Sequence, residues 1–113
     1  MYLCKKLEIM ILYNTTFIVE EKIHDDWFKW LKEEHINDYM KSNCFVGARL
    51  GKITSHVEPG VVSYSLQLFV NDDLTLEQFK NNFLSDLQQK SLQKYSTSVL
   101  SFASEMEHIG DFS

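Results

Sequence analysis

Glu34, His35 and Asp38 stand within five positions of one another and carry most of the chemistry that this sequence offers. A histidine between two carboxylates can have its protonation tuned for acid–base work near neutral pH, with His35 moving the proton and Glu34 or Asp38 orienting its ring. Arg49, the one arginine in the chain, would add a forked donor suited to a carboxylate or an enolate. Tyr64 and Gln67 could contribute hydrogen bonds to the same ligand. The set describes a small cofactor-independent enzyme acting on a small organic acid or phenolic compound, with catalytic His35 and Arg49 and with Trp27, Glu34, Asp38, Tyr64 and Gln67 against the ligand. It equally describes a module that binds a small ligand or a protein partner without catalysis, and no motif in the chain separates the two.

Other chemistries lack their residues. His24 and His56 have no histidine four positions away and no nearby cysteines, so no metal is expected. No phosphate-cradling glycine loop, nucleophile elbow or Cys/His nucleophile pair occurs, and no cofactor is expected. Eleven lysines and arginines against sixteen acids leave a net charge of −5, which repels nucleic acid and anionic membrane surfaces. Two cysteines, Cys4 and Cys44, are too few for a disulfide framework and suit a reducing, cytoplasmic setting. The lysines and apolar residues of Met1 to Leu12 are interrupted by Glu8, in a stretch too short for a signal peptide or a membrane span.

The elements that must position these residues follow from periodicity. Met10 to Glu20 is rich in β-branched and aromatic residues and reads as a strand, with Tyr13, Thr15, Phe17 and Val19 on one face. Ile23 to about Met40 is a helix striped by Ile23, Trp27, Trp30 and Leu31, with Asp25 and Asp26 suiting its first turn. A stripe of aromatic residues at helical spacing is usually core, which makes packing the plainer role for Trp27. Cys44 to Ile53 and Val61 to Val70 are strands joined through a Pro59-Gly60 turn. Thr75 is the expected N-cap of a second helix running to about Tyr95, striped by Leu76, Phe79, Phe83, Leu84 and Leu87. Thr97 to Met106 alternates as the last strand, and the tail after His108 frays.

The helical wheel places Glu34, His35 and Asp38 on the side of Trp27, Trp30 and Leu31, where charges must be paired or line a cavity. A helix that frays or bends near Glu33 would instead turn all three to water, and a lone helical histidine is more often structural than catalytic. The two placements make opposite demands on His35: an enzyme or ligand site needs a cavity reaching it.

The order β-α-β-β-α-β predicts an α+β, ferredoxin-like domain, a four-stranded antiparallel sheet with two helices on one face. The other face would carry Ser63, Ser65, Gln67, Phe69, Asn14, Thr16 and Ile18, none of them charged. Solvated sheet faces usually bear Lys and Glu, so the expected cover is the same face of a second copy, in a homodimer.

The blocks Met10-Ile-Leu-Tyr-Asn-Thr-Thr-Phe-Ile-Val-Glu20, Trp27-Phe-Lys-Trp-Leu-Lys-Glu-Glu-His-Ile36 and Phe45-Val-Gly-Ala-Arg-Leu50 resemble the bacterial family known as domain of unknown function 4286, in order and in spacing. The resemblance brings no established activity. It implies kinship with dimeric α/β-barrel proteins, some of which are small cofactor-independent oxygenases, dehydratases or isomerases, the types the enzyme reading would take; kinship of fold is analogy, not mechanism. The family usually has proline where this chain has Asn37, which leaves the end of the first helix open. It starts where Met10 stands, so residues 1–9 are expected to be an N-terminal extension, 10–109 the domain and 110–113 a tail.

Overall fold

The computed structural model describes residues 10–113; the expected extension, with Cys4, lies outside them. Strand β1, Ile11–Glu20, alternates buried and half-buried positions, as a period of two on a one-sided sheet requires. It is central. Strand β3, Val61–Val70, pairs antiparallel along one side of it, and β4, Val99–Glu107, along the other. Strand β2, Gly47–Lys52, adds to the outer side of β3, giving the order β2-β3-β1-β4 with every neighbouring pair antiparallel.

The register fixes two faces. Tyr13, Thr15 and Phe17 stand opposite Leu68, Leu66 and Tyr64, and with Val19 and Val70 they face the helices and form the core. Asn14, Thr16 and Ile18 stand opposite Gln67, Ser65 and Ser63 on the outer face. Asn14 accepts a hydrogen bond from Ser65 and donates one to Thr16.

The first crossover is one helical rod in unlike pieces. A 3₁₀ turn, Glu21–Ile23, leads into helix α1, His24–Trp30; a π-helical turn spans Leu31–His35; helix α2, Ile36–Lys41, completes it. Asn37 sits inside α2 and its Nδ2 donates to the Glu33 carbonyl at 3.0 Å, so the rod runs to Lys41 where a proline would have cut it. It stops at Asn43, whose φ of 61° takes the left-handed position that ends many helices. Pairing to β3 then begins with the Val46 N–H on the Phe69 carbonyl. The second strand is therefore shorter than the expected Cys44 to Ile53, and Cys44 and Phe45 are spent on the core.

The second crossover departs from expectation twice. Its cap is Asp72, not Thr75: Asp72 Oδ1 accepts the Thr75 N–H at 2.7 Å, a bond that holds the Asp72 carboxyl below the usual range. Phe83, at φ −127° and ψ −33°, then splits the expected single helix into α3, Asp73–Asn82, and α4, Leu84–Tyr95. Both pieces press apolar residues on the sheet, with Phe79 fully buried between Tyr13, Tyr39 and Phe45. Among the described residues, no helix is long and apolar enough to cross a membrane.

Candidate functional site

His35 owes its position to the π turn. Trp27, Leu31, His35 and Tyr39 recur every four residues, and each such step carries an α-helical side chain about 40° around the rod. Three steps would swing Tyr39 away from Trp27. The wider turn at Leu31–His35 removes part of that drift, and all four side chains are buried, His35 at 2 % exposure. Single π turns inside α-helices recur at functional sites.

The same turn divides the cluster that the sequence presents. Glu34 is exposed, and Asp38 is half-buried with its carboxylate 3.2 Å from Lys90 Nζ. Neither orients the imidazole. Aromatic rings hold it instead: Trp30 stacks on it with centroids 4.3 Å apart, Tyr39 meets it edge-on at 5.1 Å, and Phe17 lies at 6.3 Å. His35 Nδ1 is buried without a hydrogen-bond partner, a deficit of about 1–3 kcal/mol. Burial drives the imidazolium pKa down to about 4, against smaller opposing and reinforcing effects of Asp38 and Lys90. At neutral pH the ring is therefore an uncharged donor and acceptor, and a weak base.

Beside it lies a crevice of about 200 Å³ between the rod, α4 and β4. Phe17, His35, Tyr39, Leu87 and Val99 form its buried floor, and Gln88, Leu92, Ser96 and Ser101 stand exposed at its mouth, with Ser91 between. Ser96 is strained, at φ 53° and ψ −136° directly after α4, a conformation that costs a residue with a Cβ on the order of 1–3 kcal/mol.

The remaining expected site residues stand elsewhere. Trp27 is fully buried between Phe17 and Tyr64, a core side chain. Tyr64 is buried on the helix face, and its hydroxyl is 2.7 Å from His24 Nε2, whose Nδ1 lies 3.0 Å from Asp25. Neither lines the crevice. Arg49 and Gln67 are register partners on the outer face, where the Arg49 guanidinium sits over the Phe69 ring at 5.5 Å. The sheet thus separates Arg49 from His35, and one ligand cannot touch both within a chain. Sequence reasoning missed Tyr39, Ser96 and Ser101; only the serine directly after α4, where glycine is usual, was a readable sign.

The outer face has a larger hollow, about 500 Å³, beneath the loop from β2 to β3, with Ile18, Val57, Val61 and Phe102 in its lining along with charged Glu21, Lys52 and Glu58. No buried titratable group faces it. Along β4, Leu100, Phe102 and Met106 are more than half exposed on that face. Among the described residues, no three His, Cys, Asp or Glu side chains gather as metal ligands.

The family described as domain of unknown function (DUF4286) matches residues 10–109. No curated protein matches the chain. Solved structures of similar fold include a dimeric ferredoxin-like protein from an uncultured marine organism, at a TM-score of 0.59 and 12% identity over 93% of this chain and 100% of that one. A putative antibiotic biosynthesis monooxygenase from Bacillus cereus superposes at 0.60 with 11% identity, over 93% and 98% of the two chains. A monooxygenase from Streptomyces coelicolor, in complex with the ligand nanaomycin D, does so at 0.57 with 13% identity, over 93% and 92%. Identities this low carry the ferredoxin-like α+β fold and nothing more.

Proposed function

The chain belongs to the family described as domain of unknown function 4286, and from that premise we propose that it is a homodimeric module whose helix–sheet crevice beside His35 binds a small molecule. Taking each interrupted helical stretch as one crossover, the order is βαββαβ and the assembly is of the dimeric α/β-barrel type. The outer sheet faces of two copies then meet, covering Leu100, Phe102 and Met106. A fold neighbour that is itself dimeric and another that holds a ligand support this reading by analogy. A cytoplasmic location belongs to the same proposal, in keeping with the buried free thiol of Cys44.

The observation that carries the binding site is the buried imidazole of His35 in the wall of a crevice with an apolar floor. An uncharged imidazole at a crevice wall can donate or accept one hydrogen bond to a small molecule lying there. An acid–base enzyme built on His35 and Arg49 is less well supported. Its two groups lie on opposite faces of the sheet, and a histidine with a pKa of about 4 is a poor base at neutral pH.

A fragment screen by NMR tests the site. Binders should shift the amide signals of Ser96 and Ser101, and Leu87→Trp, which fills the crevice floor, should abolish those shifts while the fold persists. A screen in which no fragment moves these amides, or in which Leu87→Trp leaves binding intact, would remove the crevice as the site. Sedimentation equilibrium tests the assembly: a monomer at tens of micromolar would end the dimer reading.

A further inference from the structure

The crevice has a lining whose composition restricts what can occupy it. Among the described residues, none of the ten that line it carries a charge at neutral pH. Its polar groups are the hydroxyls of Tyr39, Ser91, Ser96 and Ser101, the Gln88 amide and the His35 imidazole. The two charges that act on the His35 ring are engaged with each other, Asp38 pairing with Lys90 at 3.2 Å. The chain's single arginine is on the other side of the sheet.

We infer that the crevice selects uncharged, hydroxyl- or carbonyl-bearing ring compounds and rejects carboxylates. This rests on the proposed binding site and names its ligand class. Moving a carboxylate out of water demands a cation or several aligned donors in return, and an apolar floor of Phe17, Leu87 and Val99 supplies neither. A neutral hydroxyl loses far less on entry and finds the hydroxyls, the Gln88 amide and the uncharged His35 ring of the lining as partners. Size agrees with this. About 200 Å³ is the space of roughly seven waters at ~30 Å³ each, enough for one six-membered ring bearing a small polar group. The rings of Phe17, His35 and Tyr39 in the lining favour a flat occupant.

Phenol, neutral at pH 7.5, and benzoate, an anion only slightly larger, make the test. Each is titrated into the native protein while the Ser96 and Ser101 amide signals are followed. Phenol should bind with a dissociation constant at least tenfold lower than that of benzoate. Ser101→Lys, which places an ammonium at the exposed mouth without disturbing the core, should narrow or reverse that ratio. Benzoate binding as tightly as phenol at the same amides would overturn the selectivity and leave the site standing. If neither probe moves those amides while fragments of other chemistry do, the selectivity also fails and the site again stands. If nothing of any chemistry moves them, both inferences fall together.

Discussion

The two faces of the sheet are built from the same three long strands, yet they solve opposite problems. The inner face is aromatic and aliphatic, closed by the helical rod and α4, and among the described residues it keeps His35 Nδ1, Trp27 Nε1 and Thr15 Oγ1 without partners. The outer face is a field of Ser, Thr, Asn and Gln that bond among themselves, flanked by an exposed apolar row on β4. One face has satisfied its apolar surface and left a polar deficit. The other has satisfied its polar groups and left an apolar surplus. In the proposed reading a small ligand occupies the crevice on the first face and a second copy of the chain covers the second, so that one domain would carry both without either intruding on the other.

The contrast can be broken from either side. The largest effect belongs to the inner core: Phe79→Ala, at a fully buried ring, should remove about 3–5 kcal/mol of stability in urea denaturation. A loss below about 1 kcal/mol would mean that α3 does not close this face as described.

Acid should act on the same face through His35. The unfolded chain takes up a proton near the ordinary value of 6.5, whereas the folded chain refuses it until about 4. The unfolded state thus binds more protons in that window, so His35's contribution is intact above pH 6.5 and is lost as pH falls toward 4, by about 3 kcal/mol. His35→Phe should flatten the difference in stability between pH 7 and pH 4.5 relative to the parent. Equal slopes in the two proteins would place the imidazole in water.

On the outer face the expected effect is on assembly alone. Phe102→Asp, at a side chain 59% exposed in the single chain, should weaken the dimer by roughly 100-fold through a buried carboxylate. The circular dichroism spectrum should not change. A variant that unfolds, or that dimerises as well as the parent, would show that the faces are not independent in this way.

The smallest effect lies at the mouth of the crevice. Ser96→Gly relieves the strained φ of 53° and should raise stability by about 1 kcal/mol, a few degrees in melting temperature. If the strain serves to position the mouth, ligand-induced amide shifts should shrink in the same variant.

Much of this was legible along the chain. The alternation of Tyr13, Thr15, Phe17 and Val19 identified the inner face of β1, and Asn14, Thr16 and Ile18 identified the outer one, because a strand's period of two is written directly in residue order. Trp27, Trp30 and Leu31 marked the buried stripe of the rod in the same way. Register was not legible. Which side of β2 carries Arg49 depends on its pairing with Gln67, and a shift of one residue would have put it on the helix face.

Residue order by itself therefore determined the existence of the strands and of the two crossovers and the uncharged row of Asn14, Thr16, Ser63, Ser65 and Gln67 on the outer face of β1 and β3, since these depend on neighbours close in the chain. Tertiary structure alone decided that His35 turns inward while Glu34 and Asp38 do not, because a π turn persists only where packing of Trp30, Leu31 and Tyr39 against the sheet stabilises it. It alone assembled the crevice, whose floor joins Phe17, His35, Leu87 and Val99 from four separate elements. Contacts between residues so distant in sequence are set by how the layers close, and local pattern has no means of encoding them.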